Sequence, residues 1–444
     1  MSSCPRSSES ALPRLAALAP SLRACERMGT VSDVVGLTVE VQGLVASIGE
    51  QAVIMGTGAR EPVLCQVVGF RRDRAITMLF GDATGITPGS RVVATGAPAR
   101  VTVSDSLLGR VVDGLGQPLD GGPPVRGALV PVSGSGLATH PLRRLPITAP
   151  FMTGVRVLDG MLTCGRGQRL GVFAGSGVGK STFLSMIARN GESDVNVIGL
   201  IGERGREVRE FIDHNLGPEG LRRSVVVVAT GDQPALLRLN AAWVTATIAE
   251  YFRDRGRNVL LMMDSVTRFA MAQREIGLAA GEPPATRGYT PSVFALLPAL
   301  LERSGTGERG SITGFYTVLV EGDDMNEPIA DAVRGVLDGH IVLSRELAAA
   351  NHYPAVDVLG SISRLMSRLA SPEQQEHAGR VRRLLAAHRS AKDLLEIGAY
   401  VAGSNADVDT AVARLPQLHG FLRQHTHEVS SWEETTHELQ GLAQ

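Results

Sequence analysis

Short apolar runs separated by glycine-containing turns fill the first part of the chain, from about residue 31 to residue 95. The runs are rich in β-branched residues; they read VVGLTVEVQGLVASI, QAVIMG, PVLCQVVGF and AITMLF. Evenly spaced short strands joined by turns predict a small β-barrel. We assign the barrel to residues 26–98 and expect the preceding residues 1–25 to form a flexible or weakly helical arm.

From about residue 150 to residue 345 the pattern changes, and strand-like apolar runs alternate with helical stretches. The runs GQRLGVFAG, VNVIGLIG, RSVVVVAT and NVLLMMD are almost continuously apolar. Continuous apolar strands with helices between them predict a parallel sheet covered on both faces, which is an α/β fold. We place this domain at residues 99–370 and interpret its Gly- and Pro-rich residues 107–124 as a connection.

The end of the chain, residues 371–444, is predicted to be a helical domain. Ser371 followed by Pro372 is typical of a helix N-cap with proline at the first helical position. Apolar residues then recur at helical spacing, at Val381 and Leu384. The sequence therefore predicts three domains, with the α/β domain in the middle.

Composition excludes several classes of protein. The 444 residues carry a net charge of −1, which argues against a large nonspecific contact with nucleic acid. No apolar run reaches the roughly 18 residues of a membrane-spanning helix, so we expect peripheral membrane association only. The cysteines form no CxxC pair, which indicates reduced thiols rather than a disulfide or zinc framework. They are Cys4, Cys25, Cys65 and Cys164.

The strongest motif is AGSGVGKST, which follows a strand and precedes a helix, as a phosphate-binding loop must. Its glycines let successive backbone N–H groups turn towards phosphate oxygens, and the helix N-terminus adds positive dipole. Lys180 would reach the β- and γ-phosphates of ATP, and Ser181 would bind Mg²⁺. The strict pattern begins with Gly, whereas this one begins with Ala. The predicted nucleotide-binding residues are Ala174, Gly175, Ser176, Gly177, Val178, Gly179, Lys180, Ser181 and Thr182.

Hydrolysis also needs a carboxylate that holds the metal ion and a group that positions water. Asp264 ends the apolar strand NVLLMMD, which is the Walker B arrangement and predicts a Mg²⁺ ligand. Glu203 follows the strand VNVIGLIG and is expected at the same sheet edge, where a carboxylate can accept a proton from the attacking water. From residue chemistry alone, a solvated loop position remains the commoner alternative for Glu203.

The order of further motifs resembles the rotary-ATPase superfamily, and within it the type III secretion ATPases. After the phosphate-binding loop come GERGRE, LLMMDSVTRFA, GYTPSVFALLPALLERSG, LVEGDDMNEPIAD and LDGHIVLSRELAAANHYPAVDVLGSISRLM. The resemblance covers residues 30–405 and implies a RecA-like P-loop core between an N-terminal β-barrel and a C-terminal helical domain. The motifs near Cys164, Asp324 and Tyr353 resemble the injectisome branch more closely than the flagellar export branch, which remains the alternative.

The resemblance implies roles for three residues in the GERGRE motif. Glu203 matches the family's water-activating glutamate, and Arg204 matches the arginine beside it. Glu207 matches an acid that lies near the metal ion. Taken as an ordinary residue, Glu207 would instead form a surface ion pair with Arg268.

Three residues further along the chain also match functional positions of the family. Arg268 matches an arginine that faces the γ-phosphate, and Tyr353 matches the aromatic residue that stacks on adenine. Arg364 matches an arginine finger supplied across a subunit interface. Core packing for Tyr353 and a solvated helix position for Arg364 are the alternatives.

The implied arginine finger predicts a ring of identical subunits. One chain carries the phosphate-binding loop, Glu203 and Arg364 together, so each subunit can supply Arg364 to the site of its neighbour. A finger supplied by a neighbour is worth about 10³ to 10⁵ in rate. Since the related rotary ATPases place six subunits in the ring, the resemblance implies a homohexamer with a potentially active site in every subunit. The resemblance implies a cytoplasmic ATPase that uses Mg²⁺ and drives protein export at the inner membrane. Its implied partners are a peripheral stator or regulator, a central stalk protein, the export gate, and secreted effectors with their chaperones.

Other classes of protein share the nucleotide-binding core. A hexameric helicase should show a basic groove with stacking aromatics, whereas aromatic residues make up only 4% of this chain. An inactive structural subunit would lack the carboxylate of Glu203. A proton-driven ATP synthase subunit is the remaining alternative within the superfamily.

Overall fold

The chain folds into two compact units, one ending at Pro98 and the other beginning at Ala99. The computed structural model describes residues 26–56, 61–132, 134, 141–320, 322 and 324–443. The predicted arm at residues 1–25 therefore lies outside the described residues. None of the helices in the described residues is both long enough and apolar enough to span a bilayer.

The first unit is a closed antiparallel barrel, in which neighbouring strands follow the order β1–β2–β5–β4–β3–β6 and β6 pairs with β1. Its strands are β1 (Met28–Val35), β2 (Thr38–Gln42), β3 (Glu50–Ile54), β4 (Val63–Arg71), β5 (Arg74–Leu79) and β6 (Arg91–Pro98). In β2, Val39 and Val41 are buried while Glu40 between them is less so. This alternation is what a barrel with a filled interior requires.

A mostly parallel sheet forms the centre of the second unit, with neighbouring strands in the order β19–β18–β12–β17–β15–β13–β14–β8. Strands β16 and β19 run antiparallel to their neighbours, and β7–β9 and β10–β11 form two small separate sheets. The strands are β7 (Arg100–Val103), β8 (Val111–Asp113), β9 (Ala128–Pro131), β10 (Pro150–Phe151), β11 (Cys164–Gly165), β12 (Arg169–Ala174), β13 (Val195–Ile201), β14 (Ser224–Ala229), β15 (Asn258–Asp264), β16 (Gly305–Thr306), β17 (Ser311–Leu319), β18 (Gly339–Leu343) and β19 (Ile362–Ser363).

Helices precede, connect and follow these strands. They are α1 (Arg156–Met161), α2 (Lys180–Asn190), α3 (Gly205–Glu210), α4 (Gly217–Arg222), α5 (Ala235–Asp254), α6 (Val266–Ala280), α7 (Pro291–Leu301), α8 (Pro328–Val336), α9 (Arg345–Ala349), α10 (Met366–Leu369), α11 (Pro372–Glu396), α12 (Ala406–Leu422) and α13 (Trp432–Ala443). A π-helical stretch, Phe211–Leu216, joins α3 to α4.

Both faces of the central sheet are buried. In β13, Val197 belongs to one apolar cluster and the next residue, Ile198, belongs to the other. Helices α5–α8 contribute to the first cluster, and α1, α2 and α11–α13 contribute to the second. Two-sided burial explains why the strands read as continuous apolar runs. The predicted fold class, a RecA-like α/β core with a β-barrel before it and a helical region after it, is confirmed.

Two features at the ends of the second unit bear on the sequence predictions. The side chain of Ser371 accepts a hydrogen bond from the Gln374 backbone N–H at 3.1 Å and caps α11, as predicted. Residues 107–124 are more than the predicted connection. They contain β8, which pairs in parallel with β14 at the edge of the sheet. The two valines of β8 suit a strand, but the surrounding glycines obscure this short run.

The two cysteines that the structure describes are free and buried. Burial raises the pKa of Cys65 to about 12, and it raises the pKa of Cys164 well above its usual value. Both thiols therefore stay protonated and unreactive at neutral pH.

The packing of α6 on α5 gives a direct test of the core. The rings of Phe269 and Trp243 meet edge to face, with centroids 5.5 Å apart, and Phe269 is fully buried. Phe269→Ala leaves a cavity, so we expect the free energy of unfolding to fall by about 3–5 kcal/mol. Denaturant titration followed by tryptophan fluorescence measures the change. Leu278→Ala on the same helix, where the side chain is 44% exposed, should cost less than about 0.5 kcal/mol. Equal losses in the two variants would contradict this packing.

Candidate active site

Three sequence-predicted elements meet at the carboxyl edge of the central sheet. The phosphate-binding loop follows β12, Glu203 follows β13, and Asp264 is the last residue of β15. These strands are parallel, with β17 lying between β12 and β15. Because parallel strands end at the same edge, residues far apart in sequence converge on one site.

The phosphate-binding loop has the backbone that a phosphate cradle needs. Gly177 and Gly179 adopt left-handed φ angles of 79° and 88°, which residues with a side chain rarely adopt. Val178 between them is buried at 2% exposure and anchors the loop, while Ser176 is exposed. Helix α2 begins directly after the loop, at Lys180. The free N–H groups of its first turn therefore face the same space as the loop.

The ammonium group of Lys180 lies between two carboxylates. Its Nζ donates to Oδ1 of Asp264 at 2.5 Å and to Oε1 of Glu203 at 3.4 Å. All three side chains are mostly buried, at 12%, 5% and 15% exposure respectively. One positive charge therefore lies between two carboxylates in a poorly solvated cluster and offsets the repulsion between them.

The cluster changes the acidity of its members. Burial and then the nearby Asp264 carboxylate raise the pKa of Glu203 to about 7, and the charge of Lys180 only partly offsets them. Burial works to lower the pKa of Lys180, but the Asp264 and Glu203 carboxylates outweigh it, and the net shift is upward. Lys180 therefore stays charged at neutral pH, while Glu203 is able to exchange a proton there.

One residue of the site, Thr317, was missed in the sequence. It lies on β17, is fully buried, and its Oγ1 donates to Oδ1 of Asp264 at 2.7 Å. The bond fixes the carboxylate that also accepts from Lys180. The available signal was a threonine near the carboxyl end of β17, between Tyr316 and Val318, although Ser311 and Thr313 on the same strand also carry hydroxyls.

Arg268 reaches the site from the first turn of α6. Its stem passes over Gly202, where a Cβ would lie only 2.7 Å from Cβ of Arg268, so a glycine is needed beside Glu203. The Nε atom of Arg268 is buried and has no hydrogen-bond partner among the described residues. A buried donor of this kind is costly unless a ligand supplies an acceptor, which fits an arginine that faces phosphate.

The two other residues of the GERGRE motif lie further out. Arg204 is 82% exposed and forms an ion pair with Glu207 at 3.4 Å. The Glu207 carboxyl is also near Glu203 and contributes to the raised pKa of Glu203. The structure therefore brings Glu207 to the border of the cluster and leaves Arg204 at the surface.

The ring of Tyr353 lies against the phosphate-binding loop. A Cβ built on Gly179 would be 3.2 Å from Cε1 of Tyr353, so the ring rests on that glycine. The side chain is 41% exposed, which leaves part of the ring open to solvent. A half-open aromatic ring beside a phosphate cradle is suitably placed to stack on a nucleotide base.

Arg364 lies at the opposite ends of the strands, next to the amino ends of β12 and β18. Its backbone N–H donates at 3.0 Å to the carbonyl of Asp338, and Asp338 lies beside Arg169 at the start of β12. Strand β12 is six residues long and the phosphate-binding loop follows its other end, so roughly 17 Å of strand separates the two. The Arg364 side chain is exposed. This distance keeps Arg364 away from the phosphate-binding loop of its own chain.

The donors available for a metal ion are oxygens. Among the residues that the structure describes, no group of three or more His, Cys, Asp or Glu side chains could hold a metal ion. Mg²⁺ does not need such a group, since it is usually bound through one or two carboxylates together with water and substrate phosphates. The hydroxyl of Ser181 in α2 and the carboxylate of Asp264 have the chemistry that suits it.

Three family descriptions match successive parts of the chain. The β-barrel domain of the ATP synthase alpha/beta family matches residues 31–96, and the nucleotide-binding domain of that family matches residues 154–363. The C-terminal domain of the type III secretion ATPase EscN matches residues 370–441.

Whole-length relatives give the same assignment. The chain is 55% identical to the flagellum-specific ATP synthase of Bacillus subtilis, over 94% of this chain and 95% of the relative. It is 53% identical to the type 3 secretion system ATPase of Xanthomonas euvesicatoria, over 92% of each chain. The assembled ATPase EscN of enteropathogenic E. coli superposes with a TM-score of 0.88 at 42% identity, over 94% of this chain and 100% of that one. The chain therefore belongs to the ATPase family that comprises the type 3 secretion system ATPases and the flagellum-specific ATP synthases.

Proposed function

We propose that the protein hydrolyses ATP as a ring of identical subunits and drives protein export through a bacterial injectisome. The observation that carries the proposal is the separation of two half-sites within one chain. Lys180, Glu203 and Asp264 meet at one edge of the sheet, whereas Arg364 lies at the other. A chain built in this way completes its site with a second copy of itself.

In the proposed reaction, water attacks the γ-phosphate of ATP and passes its proton to Glu203. The bond between the γ-phosphorus and the bridging oxygen breaks, and ADP leaves. A pKa of about 7 suits this base, because proton transfer is most effective when the pKa lies near the working pH. Lys180 turns from the carboxylates to the β- and γ-phosphates. Mg²⁺, held by Ser181 and Asp264 with Glu207 nearby, would neutralise phosphate charge.

Two arginines would complete the charge balance. The unpartnered, buried Nε of Arg268 supports a role at the γ-phosphate within the same subunit. The exposed position of Arg364 supports a role as the finger for a neighbouring subunit. Since transition-state charge spreads over the γ-phosphate oxygens, the two guanidinium groups would stabilise it from different sides. Arg204, exposed and paired with Glu207, is proposed only to hold that carboxylate in place.

The proposed partners begin with a central stalk protein. A solved structure shows the relative EscN in complex with its central stalk EscO. In this chain, Leu394, Ile397 and Val401 are 49%, 75% and 70% exposed at the end of α11 and just beyond it. An exposed apolar tip of this kind supports binding to another protein. The peripheral stator, the export gate, and secreted effectors with their chaperones are further proposed partners, at the cytoplasmic side of the inner membrane.

Flagellar export is the second candidate function, because relatives with that name match as well as the type 3 secretion system ATPases do. The residues of the motifs near Tyr353 and Asp324 resemble the injectisome branch more closely, which favours the injectisome. A pull-down from the native cell separates the two candidates: needle-complex proteins support the proposal, and flagellar export proteins support the alternative.

Lys180→Ala is expected to abolish hydrolysis. The change removes the charge that reaches the phosphates, and it leaves the Asp264 and Glu203 carboxylates to repel each other. Lys392 is the only other lysine of the chain, lies on α11 and pairs with Glu346 at the surface. Lys392→Ala is therefore the matched control and should retain activity. Steady-state ATPase assays, with thermal unfolding of each variant, measure the effect. Near wild-type activity in Lys180→Ala would refute the phosphate-binding role.

Glu203→Gln is expected to bind nucleotide and to turn over about 10² to 10⁴ times more slowly, because the base is lost. The wild-type rate should also fall as the pH drops below about 7, where Glu203 becomes protonated. One pH unit below the pKa, about a tenth of the carboxylates remain ionised. The residual rate of the variant should lack this dependence. A wild-type profile that stays flat between pH 8 and pH 6 would argue that another group activates the water.

Arg364→Ala is expected to bind ATP without hydrolysing it, because its own Lys180, Glu203 and Asp264 are intact. The Lys180→Ala subunit has the opposite defect, an inactive pocket with an intact finger. When the two are mixed, some interfaces pair the intact pocket with the intact finger, so part of the activity should return. ATPase assays on the mixture and on each variant alone make the comparison. No rescue in mixed rings that are shown to form would exclude a finger supplied by the neighbour.

A further inference from the structure

The loop between α12 and α13, residues 423–431, contacts two elements that lead to the nucleotide site. On one side it meets the C-terminal end of α2, roughly 15 Å of helix away from Lys180, where that helix begins. Nη2 of Arg189 donates to the Thr426 carbonyl at 2.6 Å, and Nδ2 of Asn190 donates to the Glu428 carbonyl at 3.4 Å. On the other side, the backbone N–H of Gln424 donates to the Tyr353 carbonyl at 3.0 Å.

The side chain of Gln424 fixes this loop to the start of α1. Its Nε2 donates to the carbonyls of Gly154 at 2.8 Å and Glu428 at 3.0 Å, and its Oε1 accepts from the Arg156 backbone N–H at 2.8 Å. The residue is only 5% exposed. A buried amide with both ends bonded to backbone has one favourable orientation, so the backbone N–H of Gln424 is held where it meets Tyr353.

The Tyr353 ring depends on its backbone for its position. The ring rests on Gly179 and is 41% exposed. Its carbonyl, bonded to Gln424, ties the residue to the segment that also holds the end of α2. The position of the Tyr353 ring is therefore set through this segment, while the phosphate-binding loop lies at the other end of α2. Holding a contact group in place beforehand lowers the ordering cost of binding.

We propose that Gln424 is a positioning residue for nucleotide binding, which holds Tyr353 at the distance from the phosphate-binding loop that adenine requires. The proposal rests on the proposed function, because it takes Tyr353 as the surface on which the base stacks. Gln424 does not touch the nucleotide. Its effect therefore concerns the base half of the ligand and not the phosphate half.

The test compares two ligands that share phosphates but not a base. In the full-length protein, KM and kcat are measured for MgATP, and inorganic tripolyphosphate is measured as a competitive inhibitor. Gln424→Ala should raise KM for ATP roughly three- to tenfold, since the ring must be ordered on binding. The inhibition constant of tripolyphosphate should change less than about twofold, since the cradle is untouched. Equal weakening of both ligands, or of neither, would overturn the proposal.

A double-variant cycle tests whether Gln424 acts through Tyr353. Tyr353→Ala should likewise raise KM for ATP without changing the inhibition constant of tripolyphosphate. The combined Gln424→Ala/Tyr353→Ala variant should have the same KM for ATP as Tyr353→Ala alone. If the increases in KM from the two single variants add up in the double variant, Gln424 acts by another route and the proposal is overturned. Should Gln424→Ala fail to fold, Gln424→Glu provides the same test. It retains the acceptor for Arg156 but loses the donor to Gly154.

Gln374 offers a matched control. It is also a glutamine that is 5% exposed, and its Nε2 donates to the Asp159 carbonyl and to Oγ1 of Thr163, each at 3.0 Å. Gln374→Ala should destabilise the fold about as much as Gln424→Ala does. It should leave the ratio of the affinities for ATP and tripolyphosphate unchanged. A changed ratio in this variant would mean that any loosened C-terminal helix produces the effect, which contradicts a specific role for Gln424.

Failure of the proposed function has a different signature. If Tyr353→Ala leaves KM for ATP unchanged, the base does not stack on that ring, and the assignment of Tyr353 is wrong. If Lys180→Ala is as active as the wild type, the site itself is wrong. When both of these controls behave as expected and Gln424→Ala still has wild-type KM, only the positioning role of Gln424 is refuted.

Discussion

The ammonium group of Lys180 holds two buried carboxylates together, and the rest of the site is arranged around it. Asp264 ends β15 and Glu203 follows the neighbouring β13, and without a cation between them the two carboxylates would repel each other in a poorly solvated pocket. Thr317 on β17, which pairs with β15 on the side away from β13, adds a hydrogen bond to Asp264. The same burial that makes this cluster costly raises the pKa of Glu203 to about 7, which suits it to proton transfer at neutral pH.

The direction of the strands gives the molecule two unlike edges. The carboxyl edge of the sheet collects the phosphate-binding loop and the acidic residues, while the amino edge of β18 and β12 holds the backbone of Arg364. Head-to-tail contact between identical chains would bring one edge against the other, and such heterologous contacts close into a ring when the rotation permits. Under the proposed role of Arg364, this geometry would make assembly a condition for activity.

The C-terminal helices take part in the site as well as in the core. Their apolar residues cover one face of the sheet, and two buried glutamines, Gln374 and Gln424, bond them to the backbone at either end of α1. Gln424 is also bonded to the residue whose ring rests on the phosphate-binding loop. A displacement of these helices would therefore reach the nucleotide site through hydrogen bonds, and nucleotide binding would act back on the helices by the same route.

Local pattern in the sequence was enough to predict the barrel, the parallel sheet, the helical end, the phosphate-binding loop and the convergence of Glu203 with Asp264. Each depends on residues close together in the chain or on the rule that parallel strands end at one edge. The tertiary structure alone decided that Thr317 bonds to Asp264, that β8 extends the sheet, that Arg204 lies outside the cluster, and that the backbone of Gln424 bonds to that of Tyr353. These facts depend on pairings between distant segments and on burial, which periodicity and spacing do not encode.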